Sequence, residues 1–144
     1  QSLLPMLEAS ASDDDPARVV NVGSVMGETP HGDRAYSYAA SKAAVHHLTR
    51  ILAKELADKR ITVNALAPGP FVSKMTAFAT ADEDTRSRVG AQVPLGRVGK
   101  PEDIAAILQF LCGAGGGYIT GAIIPVSGGI NVETGPDLFQ EAYS

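Results

Sequence analysis

"VVNVGSVMGETPHGDRAYSYAASKAAVHHLTRILAKELADKRITVNAL", residues 19–66, has a short β-branched run at each end and one long helical pattern between them. "VVNV", 19–22, reads as a buried strand, and the turn formers of "GSVMGETPHGDR", 23–34, follow it. The pattern predicts a helix from about residue 37 to 58, with Ala43, His47, Ile51 and Leu52 among its recurring less polar positions. "ITVNAL", 61–66, is a second β-branched strand, stopped by Pro68-Gly69-Pro70. Strand, helix and strand in this order make a βαβ unit, hence parallel strands covered by helices.

Working outward, residues 2–9 read as the end of an apolar helix, and "SASDDDPAR", 10–18, as a polar loop. Downstream, residues 71–100 contain a charged, mobile segment, "ATADEDTRSRVG". Its Asp82–Asp84 cluster reads as a solvated loop, with a lid over a substrate as the functional option. Pro101 suits the first position of another helix, with Glu102 and Asp103 in its first turn, running to about Cys112. "GAGGG", 113–117, ends that helix, and "YITGAIIPV", 118–126, is a third strand closed by "SGG". "VVNV" and "TVNAL" both look like interior strands, yet a three-stranded parallel sheet leaves one of them as a bare edge. Residues 1–144 are therefore expected to form the C-terminal half of a single doubly wound, Rossmann-like α/β domain, the other half being missing or supplied separately.

The composition sets bounds. At 144 residues the chain can hold one domain with a substantial core, and 44% hydrophobic with 19% charged residues is ordinary for a globular protein. A net charge of −4 gives no electrostatic reason to expect nucleic acid or an anionic membrane as partner. No apolar run approaches the ~20 residues that span a bilayer. "QSLLPMLEAS" lacks the basic region and cleavage pattern of a signal peptide. The lone Cys112 excludes an intrachain disulfide and fits a reducing compartment, so the expectation is a cytoplasmic α/β domain. With one cysteine and no H-E-x-x-H, no zinc site is expected. His46 and His47 are adjacent and point ~100° apart on a helix, which suits surface or packing roles rather than shared metal ligation.

Tyr36 and Tyr38 stand at the mouth of the long helix, and Lys42 follows. Residues four apart lie on one helical face and residues six apart do not, so Tyr38 can meet Lys42 and Tyr36 cannot. An ammonium beside a phenol favours the phenolate, which suits general acid or base work. The same spacing also occurs on solvated helix faces. Ser24 adds to the case, because it follows "VVNV" at the carboxyl end of a strand, where ligands sit in open parallel sheets. Its ordinary alternative is a turn former or helix cap.

"NVGSVMG", "YAASK", "ITVNALAPGPFVSKM" and "YITGAIIPVSGG", in this order over about residues 2–130, resemble the C-terminal half of a short-chain dehydrogenase/reductase. The wording of "AVHHLTRILAKEL", "APGPFVSKM" and "GAIIPVSGG" is similar to the branch of 3-oxoacyl-carrier-protein reductases associated with rhamnolipid biosynthesis. The resemblance implies that Tyr38 is the proton donor in carbonyl reduction and that Lys42 lowers its pKa and binds the nicotinamide ribose. It implies that Ser24 holds the substrate carbonyl and that Pro68 and Gly69 let the backbone approach the nicotinamide of NADP or NAD. The main chain at Phe71 would meet the carboxamide, and the Ser73 hydroxyl the carboxamide or pyrophosphate. Tyr36 is left to pocket lining or packing. A homodimer or homotetramer acting on a small carbonyl or alcohol is implied as well.

The chain departs from the family pattern in lacking the glycine-rich nucleotide loop and the asparagine that usually completes the catalytic tetrad, both of which belong to the other half. Where the family often has aspartate before paired glycines, this chain has Ser127 before Gly128-Gly129, a change expected to alter a local loop contact. Two functional classes follow. One is an NAD(P)(H)-dependent oxidoreductase of which this is the catalytic half. The other is a non-catalytic fragment that serves only as an assembly or binding module. A serine hydrolase is not supported, since Val22-Gly23-Ser24-Val25-Met26 places no glycine where a nucleophile elbow needs one.

Overall fold

A computed structural model of the chain describes residues 2–30, 34–72 and 82–132. Its centre is a parallel sheet. β1 (Ala17–Val22) lies beside β2 (Ile61–Pro68) in the register Ala17↔Ile61 through Val22↔Leu66. β3 (Ile123–Val126) pairs in parallel with the other side of β2, from Ala65↔Ile123 to Pro68↔Val126, giving the order β1-β2-β3. Around the sheet lie α1 (Leu4–Ser10), the crossover helix α2 (Tyr36–Leu56), α3 (Glu83–Gly90) and α4 (Pro101–Cys112). Among the described residues this is the half of a doubly wound α/β sheet that the sequence implies.

Side chains alternate across a strand, which decides what each face packs against. Ala17 and Ile61, with Val63, make a core with Ala53 of α2, closed by Leu4 and Leu7 of α1 and by Leu52 and Leu56. Arg18 leaves from the opposite face, where its Nε donates to the Leu111 carbonyl at 3.2 Å and its Nη2 to that of Gly113 at 3.1 Å, tying down the end of α4. Between α2 and β2, Arg60 takes the left-handed conformation at φ 57° and ψ 39°, turning the chain into the strand. The Arg60 carbonyl accepts the Ala17 N–H at 2.9 Å, so the same reversal anchors the start of β1.

Three expectations need correction. The buried positions of α2 are His46, Thr49 and Ala53, whereas Ala43 and His47 are exposed and Ile51 is 41% exposed. Thr49 can be buried because its hydroxyl accepts from Asn21 Nδ2 at 2.9 Å and donates to the Val45 carbonyl at 2.8 Å. Asp82–Asp84 is not a loop: the Asp82 carboxylate accepts the Thr85 N–H at 2.8 Å, capping α3 with Glu83 and Asp84 in its first turn. β3 begins later than residue 118, since Gly121 sits at φ +76°, outside strand geometry. Asn64 holds that approach by donating to the Ile119 carbonyl at 2.7 Å and accepting the Ala122 N–H at 3.0 Å. As the sequence implies, one of the two interior-looking strands is left at the edge, and only β2 is fully interior. Its residues are buried from Ile61 to Ala67, whereas β1 is partly exposed and Val22 is 62% exposed. β1 has no strand on its outer side among the described residues.

Ile61→Ala, which hollows the core at a 1% exposed position, is expected to cost about 2–5 kcal/mol of unfolding free energy in denaturant titrations. Ile51→Ala, on the outer face of α2, is expected to stay within about 0.5 kcal/mol.

Candidate functional site

The ladder between β1 and β2 continues past the strand, with Gly23 N–H donating to the Leu66 carbonyl at 2.8 Å. Ser24, extended at φ −166° and 6% exposed, then starts a 3-10 turn over Val25–Gly27. Its Oγ accepts the Met26 N–H at 3.2 Å, a bond that uses an oxygen lone pair and not the hydroxyl hydrogen. Ser24 is thus a cap, the ordinary reading, and also a buried hydroxyl at the carboxyl end of the sheet.

α2 returns to that end with Tyr38 in its first turn. Lys42 Nζ lies 5.5 Å from the centre of the Tyr38 ring and donates to the Val22 carbonyl at 3.0 Å. The i, i+4 pair therefore meets, and the last carbonyl of β1 holds the ammonium in place. Tyr36 is 81% exposed and borders a different groove, beside Met26, Ala39 and Ala43.

The other wall comes from the end of β2. Gly69 N–H donates to the Val126 carbonyl at 3.0 Å, and a Cβ at this position would stand 2.9 Å from Ser127 Cα. Glycine is needed here for the close approach of the β3 end. Phe71 pairs with Gly99 in an isolated parallel bridge, and its ring occupies the space a Gly99 side chain would take. Ser24, Tyr38 and Lys42 line one cavity of about 390 Å³ with Pro68, Gly69 and Phe71. Pro101, Ile104 and Leu108 of α4 give that cavity a largely apolar side, which sequence reasoning missed. The signal was present in their near-helical spacing beyond the α4 start. Ser73 lies outside the described residues.

α4 is fixed at the cavity by its first turn. Asp103 accepts the Lys100 N–H at 2.8 Å and both arms of Arg97 at 2.7 and 3.0 Å. These bonds, the Arg97 guanidinium first, hold its carboxyl down at about 2. At the end of β3 the Ser127 hydroxyl donates to Asn131 Oδ1 at 2.6 Å. Among the described residues no group of three or more His, Cys, Asp or Glu could hold a metal ion, and no helix is long and apolar enough to cross a membrane.

A cavity at the carboxyl ends of adjacent parallel strands, rimmed by helix N-termini, is the ligand position of doubly wound α/β proteins. The comparisons narrow this. A family described as enoyl-(acyl carrier protein) reductase matches residues 1–131. The rhamnolipids biosynthesis 3-oxoacyl-[acyl-carrier-protein] reductase of Pseudomonas aeruginosa is 48% identical over 132 residues, 92% of this chain and 52% of that protein. The galactitol 2-dehydrogenase (L-tagatose-forming) of Cereibacter sphaeroides is 43% identical, over 79% of this chain and 45% of its own. Among solved structures, the Pseudomonas aeruginosa RhlG/NADP active-site complex superposes with a TM-score of 0.86 at 48% identity, covering 91% of this chain and 51% of that one. The chain belongs to the short-chain dehydrogenase/reductase family. It spans about half the length of the curated relatives it matches.

Asp103 has its folded pKa below the usual 3.8, so its contribution to stability is present above that pH and is lost as pH falls toward about 2. Asp103→Asn is expected to flatten the acid limb of stability against pH in this window, measured as unfolding midpoints across the range.

Proposed function

We propose that the protein containing this chain is an NADP(H)- or NAD(H)-dependent oxidoreductase that interconverts a ketone, foremost a 3-oxoacyl group, and a secondary alcohol. The observation that carries this is the single cavity shared by Ser24, Tyr38, Lys42 and the Pro68–Phe71 segment. The names of the relatives, 3-oxoacyl-carrier-protein reductases among them, support the substrate, and the NADP of the RhlG complex supports the cofactor.

The residues suit a nicotinamide riboside. Pro68, Gly69 and Phe71 offer a largely apolar surface for a flat ring. The Lys42 ammonium gives one of its three donors to the Val22 carbonyl and has two more for sugar hydroxyls. The Phe71 main chain and the Ser73 hydroxyl are assigned to the carboxamide by resemblance. When bound, the nicotinamide supplies or takes up the hydride.

The chain's own residues handle the proton. The Ser24 hydroxyl donates to the substrate carbonyl and holds it beside Tyr38. The Tyr38 hydroxyl gives its proton to the carbonyl oxygen in reduction and takes one back in oxidation. The fixed charge of Lys42 stabilises the negative charge left on the phenol oxygen at that moment. Contacts to the rest of the dinucleotide are assigned to the other half of the family domain. A cytoplasmic homo-oligomer is proposed with this activity. The family resemblance supports the assembly.

Tyr38→Phe is expected to lower kcat for 3-oxoacyl thioester reduction by about 10²–10⁴, while NADPH affinity from fluorescence titration stays nearly unchanged. Near-normal turnover in this variant would falsify the proton-transfer role.

A further inference from the structure

His46 lies one helical turn beyond Lys42 and two beyond Tyr38, and the mechanism above does not use it. Its side chain is 2% exposed. The ring fills the space between the two glycines of the Ser24 turn. A Cβ on Gly23 would overlap Nε2, and one on Gly27 would stand 2.8 Å from Cε1.

The hydrogen bonding sets the ring's protonation. Nε2 accepts the backbone N–H of Ser24 at 3.4 Å, so it carries no hydrogen, and the neutral ring holds its proton on Nδ1. Nδ1 is buried without a hydrogen-bond partner, and Glu28 Oε1 stands 3.6 Å away. The same Glu28 oxygen accepts from Arg50 Nη2 at 3.2 Å. The carboxylate therefore faces the protonated edge of the ring while Ser24 faces the bare one.

We propose that His46, as the neutral Nδ1–H tautomer, is a positioning residue that fixes the Ser24 amide, and with it the substrate-facing hydroxyl, and releases both when it is protonated. A charged imidazole would put a hydrogen on Nε2 against the Ser24 N–H, two donors facing each other. The ring cannot retreat, because it is wedged between α2 and the glycine turn. Of the charged groups facing it, Glu28 favours protonation, while Arg50 and Lys42 oppose it. Burial, the largest influence, tips the balance and holds the pKa below 6.5. The order is therefore intact above that pH and is lost as pH falls through the lowered value.

The catalytic part of this proposal rests on the role given to Ser24, so the test has one arm that needs no turnover. On the 15N-labelled protein at its natural length, imidazole and amide correlations are followed from about pH 7.5 to 4.5. His46 is expected as the Nδ1–H tautomer, titrating below 6.5 with the Ser24 amide moving in step. An Nε2–H tautomer, or a Ser24 amide indifferent to this titration, overturns the proposal whether or not the protein is an oxidoreductase.

In the kinetic arm, His46→Gln keeps an acceptor near the Nε2 position and is expected to retain most of kcat while losing the acid limb of the kcat profile. His46→Leu is expected to lose roughly 10- to 100-fold in kcat with little change in cofactor KM. An acid limb in His46→Gln identical to that of the unsubstituted enzyme overturns the proposal even if the leucine variant fails to fold.

Discussion

The bond from Gly23 N–H to the Leu66 carbonyl prolongs the parallel ladder past Val22, and the site is assembled on that extension. Parallel strands finish on the same side of a sheet, and a crossover helix must begin there to carry the chain back. The Ser24 turn, the Pro68–Gly69 segment and the first turn of α2 are consequently neighbours without any long connection. α4 also starts on that side, which brings Pro101 and Ile104 against the same space. Four separate stretches of chain converge because of strand direction.

Polar side chains set the spacing among these pieces. Asn21 links β1 to Thr49 of α2, Asn64 links β2 to the approach of β3, and Arg18 links β1 to the end of α4. A bond of this kind contributes only about 0.5–1.5 kcal/mol net, but leaving one buried partner unmatched costs about 1–3 kcal/mol. They act less as a source of stability than as constraints on register, because a slip of one residue would strand several groups at once.

This also explains what the sequence could reveal. The βαβ order, the Tyr38–Lys42 face and the Pro101 helix start were legible, since each rests on local spacing. The buried face of α2 was not, because His46 and Thr49 are polar residues whose burial depends on Ser24 and Asn21, distant in sequence. The acidic run at 82–84 looked solvated by composition, yet the same carboxylates are what a helix N-terminus favours. "VVNV" read as interior from its apolar content, and in this half-length chain it lies on the edge. An apolar run shows that a strand is meant to be covered without showing what covers it.

Cys112 ends α4, exposed and the chain's single thiol, while the opposite end of that helix borders the cavity. Twelve helical residues separate the two ends by roughly 18 Å. Leu108, one turn before Cys112, still lines that cavity, so a fluorophore attached through this sulfur would ride on the rigid rod that walls the site. Within these 144 residues that sulfur is the one handle for site-selective labelling and optical readout.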